Sequence, residues 1–213
     1  NTPSNWHVIY NGVEIPEQVN QRPPQNNGVV VGFAGQLVKI KRPDRFINII
    51  AEAKKMINLK AMIAGDGELY SEISRLVEGL SLSDCVSMLG YVDCMSEFYN
   101  QIDIFVLTSD TEAFGRVLVE AMASERPIVA ANVDGVTEVI DETCGYLVPP
   151  DTIDVYVDKV VMLAKDETLR NRLGKAGRKR ALDLFSEKQF CDQMIALINR
   201  KIGPLRPSDK LVN

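Results

Sequence analysis

At 213 residues, 46% hydrophobic and 25% charged, the chain has enough apolar content to bury one sizeable core. Its net charge of −5 argues against nucleic acid as the main partner, which calls for a basic stripe along the phosphates. No run nears the roughly 18 apolar residues of a membrane span, and the first residues lack the basic-then-apolar order of a secretory signal, so a cytoplasmic setting is expected.

The chain opens on Asn1 rather than Met, and a piece of a longer protein is the expectation. A short apolar stretch, WHVIYNGVEI, leads into PEQVNQRPPQNNG, whose Pro, Gln and Asn content reads as an exposed connector. VVVGFA, Val29 to Ala34, is expected to be a buried strand stopped by Gly35. After Pro43, apolar residues at Phe46, Ile47, Ile50, Ala53 and Ile57 recur with helical spacing over Asp44 to Ile57. LKAMIAG, Leu59 to Gly65, is the next strand, and YSEISRLVEGL the next helix. VSMLG, IDIFVLTS, RPIVAA and GYLVP supply four more short strands interleaved with helices. Helical pattern then runs almost unbroken through TIDVYVDKVVMLAKD, TLRNRLGKAGRKRALDLF and SEKQFCDQMIALINRK, before a polar tail.

Strands that are apolar on both faces and separated by helices predict a parallel sheet covered on both sides. The fold class is therefore α/β, a Rossmann-like doubly wound parallel sheet with extra C-terminal helices. Residues 1–28 form the leading segment and connector, 29–202 the domain and 203–213 a tail. The cysteines, Cys85, Cys94, Cys144 and Cys191, show no Cys-x-x-Cys pairing, which suits reduced surroundings and no structural zinc. The only histidine, His7, adjoins Val8-Ile9 and is read as structural, which disfavours a histidine-based triad.

In doubly wound sheets, ligands bind beyond the carboxyl ends of the strands. The informative segments are thus Gly35 to Arg42, Gly65 to Glu68, Gly90 to Val92, and Ser109 to Arg116. AGDGELY lacks the third glycine of the dinucleotide fingerprint. Gly65 and Gly67 there make either a tight turn or a loop that a nucleotide can approach closely. In TSDTEAFGRVLVEAMA, the amides of Gly115 and Arg116 open a helix and suit a phosphate. Val117, Leu118, Ala121 and Met122 share a core-facing side. At about 100° per residue, Glu120 points roughly 130° away from that side, free for a polar ligand.

The stretch EAFGRVLVEAMASERPIVAANVDGVTEVI resembles the signature of retaining, nucleotide-sugar-dependent glycosyltransferases with the GT-B fold, of the family 4 type. The matching features are Glu112 and Glu120 with seven residues between them, Ala121-Met122-Ala123, the strand Pro127 to Ala130, and Gly135 to Ile140. VIYNGVE, VGFAGQLVKIKRPD, IAGDGELY, LGYVD, IDIFVLTS, GYLVPPD and Phe185-Ser186 extend the likeness in order. The resemblance implies the C-terminal, donor-binding lobe of a two-lobed enzyme, whose acceptor-binding lobe lies outside this chain and sets any peripheral membrane association. It implies a UDP- or GDP-sugar donor as substrate, with no metal and no cofactor.

The resemblance also implies residue roles. Glu120 takes the ribose hydroxyls, and Glu112 the hydroxyls of the transferred sugar. Backbone amides from Phe114 through Gly115 and Arg116 to Val117 hold sugar and diphosphate. Lys41 neutralises the diphosphate leaving group. The base lies near Gly65, Gly67 and the Tyr91-Val92 backbone. Where the family reads Gly-Arg-Leu, this chain has Gly35-Gln36-Leu37, so the charge of one diphosphate contact is gone, a loss of about 1.5–3 kcal/mol. Lys39, Arg42 and Arg45 are the nearby cations in sequence. Arg42, Glu125 and Asp134 replace glycines of the family pattern. The isolated lobe is expected to bind nucleotide weakly without transferring sugar. The competing expectation is a catalytically degenerate nucleotide-binding module with a regulatory or assembly role.

Overall fold

The computed structural model describes residues 7–19 and 28–202. Six strands, β1 Val29–Ala34, β2 Leu59–Ala64, β3 Val86–Gly90, β4 Ile104–Leu107, β5 Ile128–Ala131 and β6 Gly145–Val148, form one sheet in the order β3-β2-β1-β4-β5-β6. Every pairing is parallel. From β1 the chain builds outward through β2 to β3, then returns to the other side of β1 as β4. That reversal opens a crevice between the ends of β1 and β4, where β1 pairs with β4 only through Val31↔Ile104 and Gly32↔Phe105.

Helices α1 Pro43–Lys54, α2 Tyr70–Gly79 and α6 Ile153–Lys165 supply residues to the core on one face of the sheet. The other face is covered by α3 Met95–Gln101, α4 Arg116–Ala123, α5 Val136–Val139 and α7 Glu167–Leu184, and α8 Glu187–Ile202 follows. The strands alternate between the two cores: Val31 and Phe33 enter one, Val30 and Ala34 the other. Burial on both sides makes β1, β4 and β5 near-continuous apolar runs, whereas β2 exposes Lys60 and the edge strand β3 exposes Ser87 and Leu89.

The sequence expectations for β1 and β3 match residue for residue, whereas α1 stops at Lys54, three residues short of Ile57. There Met56 N–H turns back to the Ala53 carbonyl at 2.9 Å, reversing the chain into β2. The apolar stretch ahead of the expected connector packs against the domain. Val13, 2% exposed, donates its N–H to Phe185 O at 2.8 Å and accepts from Glu187 N–H at 3.2 Å, at the junction of α7 and α8. Only Pro16 to Val19 and Gly28 of the expected connector, and none of the tail 203–213, lie within the described residues. Cys85 and Cys144 are buried, Cys94 and Cys191 exposed, and all four are free thiols. His7 is exposed rather than buried in the apolar core.

Candidate functional site

The four strand-end segments converge on the crevice. A cavity of about 460 Å³ is lined by Gly35 and Gln36 after β1, Gly65 after β2, Tyr91 and Val92 after β3, and Val117 and Glu120 on α4. A second cavity of about 390 Å³ shares Gly35, Gln36 and Val117 with the first, and continues past Lys41, Glu112, Phe114, Gly115 and Arg116. Together they make one trough, with Glu120 at one end and the Lys41–Glu112 pair at the other. Gly67 lines neither cavity. A Cβ on it would stand 2.5 Å from the Leu37 carbonyl, so Gly67 serves the close approach of two loops. Leu37 N–H donates to Asp66 O at 2.8 Å, and Leu69 N–H to Leu37 O at 3.0 Å, across the same seam. Of the two readings left open for these glycines, the tight turn is the one seen at Gly67.

Helix α4 begins in the crevice because Gly115 takes a left-handed φ of 76° that swings the chain into the first turn. Among the described residues, the amides of Gly115, Arg116 and Val117 donate to no backbone or side-chain acceptor. They face the trough as a donor cluster reinforced by the helix dipole. On α4 the buried residues are Leu118, Val119, Ala121, Met122 and Ala123. Val117, expected on the core side, is instead partly buried and lines the trough, and Val119 takes its place in the core. Glu120 lies off the core as expected, its side chain 24% exposed.

Lys41 Nζ donates to Glu112 Oε2 in a close ion pair, the side chains 25% and 13% exposed. The loop carrying Lys41 is fixed from below. Buried Thr108 Oγ1 lies 3.0 Å from Lys41 O and 2.9 Å from Arg42 O, and Asp110 N–H donates to Ile40 O at 2.8 Å. Arg42 donates to Asp44 and Asp110, and Asp44 is the first cause holding its guanidinium above the ordinary range. Arg45, 2% exposed, donates to Thr108 O, Asp110 and Asp151. Lys39 lines a different cavity, with Glu72 and Asp110. Of the cations near Gln36 in sequence, only Lys41 reaches the trough, where Arg116, 68% exposed, joins it.

One contributor to the site carries no sequence signal. Tyr99 on α3 places its hydroxyl 3.0 Å from Glu120 Oε2, across 21 residues of chain. Asp66 and Asp93 also line the larger cavity, and Asn11 the smaller. The described residues hold no grouping of three or more His, Cys, Asp or Glu that could bind a metal ion, and no helix long and apolar enough to cross a membrane.

Residues 14–180 match the family model described as Glycosyl transferases group 1. The chain is similar to an N-acetyl-alpha-D-glucosaminyl L-malate synthase of Bacillus anthracis, 31% identical over 73% of this chain and 41% of the relative. It is also similar to the capsular polysaccharide biosynthesis glycosyltransferase CapM of Staphylococcus aureus, 29% identical over 82% of this chain and 47% of the relative. Among solved structures, a mutant of S. aureus TarM in complex with fondaparinux, α-GlcNAc-glycerol and UDP superposes with a TM-score of 0.81. That match is 25% identical and covers 93% of this chain and 40% of TarM. The chain thus spans less than half the length of these two relatives. With a six-stranded parallel sheet, an empty-handed helix start in its crevice and a family match over most of its length, the chain belongs to the group 1 glycosyltransferases and forms a Rossmann-like lobe of the GT-B type.

Proposed function

We propose that residues 29–202 are the donor-binding lobe of a retaining glycosyltransferase that moves a sugar from a UDP- or GDP-sugar to a glycan, lipid or small-molecule acceptor. The observation that carries this reading is the order of groups along the trough: carboxylate, helix-start amides, then a lysine–carboxylate pair. A nucleoside diphosphate sugar presents the same order of complementary chemistry, with ribose hydroxyls, a diphosphate and sugar hydroxyls. In this reading Glu120 accepts from the ribose, and the amides of Gly115 to Val117 hold the diphosphate. Lys41 meets the leaving oxygen, and Glu112 accepts from the sugar.

Breaking the bond between the anomeric carbon and the phosphate oxygen leaves negative charge on the diphosphate. Lys41, Arg116 and the α4 dipole are placed to stabilise that charge. The Lys41–Glu112 contact then serves two ends, holding lysine toward the phosphate and carboxylate toward the sugar. The structure of the TarM relative in complex with UDP supports a nucleotide as a ligand of this kind of protein. In this reading the lobe by itself binds nucleotide, and sugar transfer also needs a surface that holds the acceptor.

Calorimetric titration of the folded chain with UDP, GDP and their sugars is the direct test. The reading expects saturable binding by one base series and weaker binding of the Glu120→Ala variant. No heat from any of them would sink it. A second reading, a nucleotide-binding module without transfer activity, is favoured by neutral Gln36 in the trough. Sugar transfer by the full-length protein is the result that excludes it.

A further inference from the structure

Tyr99 is 1% exposed and sits on α3 behind the trough, its ring edge-on to Phe98 at 5.3 Å and to Phe105 at 5.8 Å between centroids. Such packing leaves the ring no freedom, so the hydroxyl is a fixed point against α4. Two acceptors lie within reach, Glu120 Oε2 at 3.0 Å and Val117 O at 3.2 Å. The hydroxyl has one proton to give, and the carboxylate is both nearer and charged, which makes it the stronger acceptor. Val117 O is a helix carbonyl with an intrahelical donor in the next turn.

We infer that Tyr99 is a positioning residue for the ribose contact: it ties down Glu120 Oε2 so that Oε1 is presented to the nucleotide. This rests on the reading of the trough as a nucleotide-sugar site and extends it to a residue that touches no substrate. The other contact to Glu120 is Arg116 Nε, 3.7 Å from Oε1 on an exposed side chain, too long for a hydrogen bond. Glu120 is therefore fixed from the protein side by Tyr99. Burial first, and then the adjacent Glu120 carboxylate, hold the Tyr99 hydroxyl well above the ordinary tyrosine range, so it remains a donor across neutral pH. A long carboxylate side chain that is already immobilised loses less freedom when the ribose binds.

The test separates this role from plain packing. Wild type, Tyr99→Phe, Glu120→Gln and the double variant are titrated with whichever of UDP or GDP binds. Each is also titrated with the same nucleotide lacking both ribose hydroxyls. Tyr99→Phe keeps the ring and should weaken the ribonucleotide about three- to tenfold while leaving the dideoxynucleotide unchanged. On a Glu120→Gln background the same change should add little. Equal weakening of both nucleotides, or no weakening of either, would overturn the positioning role. If wild type itself fails to distinguish the two nucleotides, it is the Glu120–ribose assignment that falls, and the role of Tyr99 with it. Thermal melts of each variant confirm that folded protein is being compared.

Discussion

Gln36 is exposed at the end of β1, and the cations that share its trough are Lys41 and Arg116. Arg42 and Arg45, which sequence proximity offers as substitutes, are held by Asp44, Asp110 and Asp151 beneath the Lys41 loop. Gln36→Arg should therefore raise nucleotide affinity about tenfold, the low end of what a charge-assisted hydrogen bond is worth. Unchanged affinity would mean that Arg116 already supplies the charge. The three residues that replace family glycines share a backbone property: Arg42, Glu125 and Asp134 have φ of 50°, 57° and 33°. The left-handed turns persist although their usual residue does not. Arg42 is stapled there by Asp44 and Asp110, whereas Glu125 has no hydrogen-bonded or ionic side-chain partner among the described residues. A left-handed L-residue costs roughly 1–2 kcal/mol, and glycine loses about 0.5–1 kcal/mol more chain entropy on folding. Glu125→Gly should then stabilise the fold by several tenths up to about 1 kcal/mol, read as a higher urea midpoint at unchanged slope.

The sheet was readable from sequence because its inner strands β1, β4 and β5 are buried on both faces, so a near-continuous apolar run marks each one. The elements that stayed hidden are short. α3 spans seven residues and α5 four, too few for helical periodicity to declare itself. The direction of the Lys41 loop was equally illegible, since Thr108 and Asp110 fix it from about 70 residues away. The Glu112–Glu120 spacing could be read because one short stretch holds both, Glu112 in the loop before α4 and Glu120 within it, while Tyr99 reaches Glu120 from another helix. The seam between α7 and the end of α4 shows how an unremarked motif positions the site. Gly174 on α7 packs so close to the loop after α4 that a Cβ would stand 2.1 Å from Glu125 O. Arg178, one turn on, donates to Ala123 O. Gly174→Ala must push α7 outward, and a strain cost of about 1–3 kcal/mol should outweigh alanine's helix propensity gain of about 1 kcal/mol. The expected outcome is a lower melting temperature. A higher one would show that the seam is loose.

At the scale of the whole lobe, buried ionisable groups set the pH range over which the two-sided core holds together. Two carboxyls are held in ion pairs, Asp44 with Arg42 at the cap of α1, and Asp141 with Arg180 on α7. Burial pushes each carboxyl up. Arg42 at Asp44, and the Thr143 hydroxyl and amide with Arg180 at Asp141, outweigh it and leave both below the ordinary 3.8. Between the ordinary value and the lowered one, the unfolded chain binds protons that the folded chain refuses, so stability falls as pH drops through that window. The opposite limb belongs to Tyr99, Tyr156 and Cys144, each raised chiefly by burial above ordinary values of 10.0, 10.0 and 9.0. Here the unfolded chain releases protons first, so stabilisation is complete below those values and is lost as pH climbs past them. Urea midpoints should therefore form a plateau across neutral pH, with an acid limb beginning near the ordinary 3.8 and an alkaline limb beginning near 9.0. Asp44→Asn should lower the plateau and flatten the acid limb, since the group that takes up the proton is gone. Tyr156→Phe, which removes a hydroxyl 3.5 Å from Leu107 O at the end of β4, should flatten the alkaline limb and leave the acid one unchanged. Alkaline limbs of equal slope in wild type and Tyr156→Phe would assign the alkaline transition to Tyr99 and Cys144 instead.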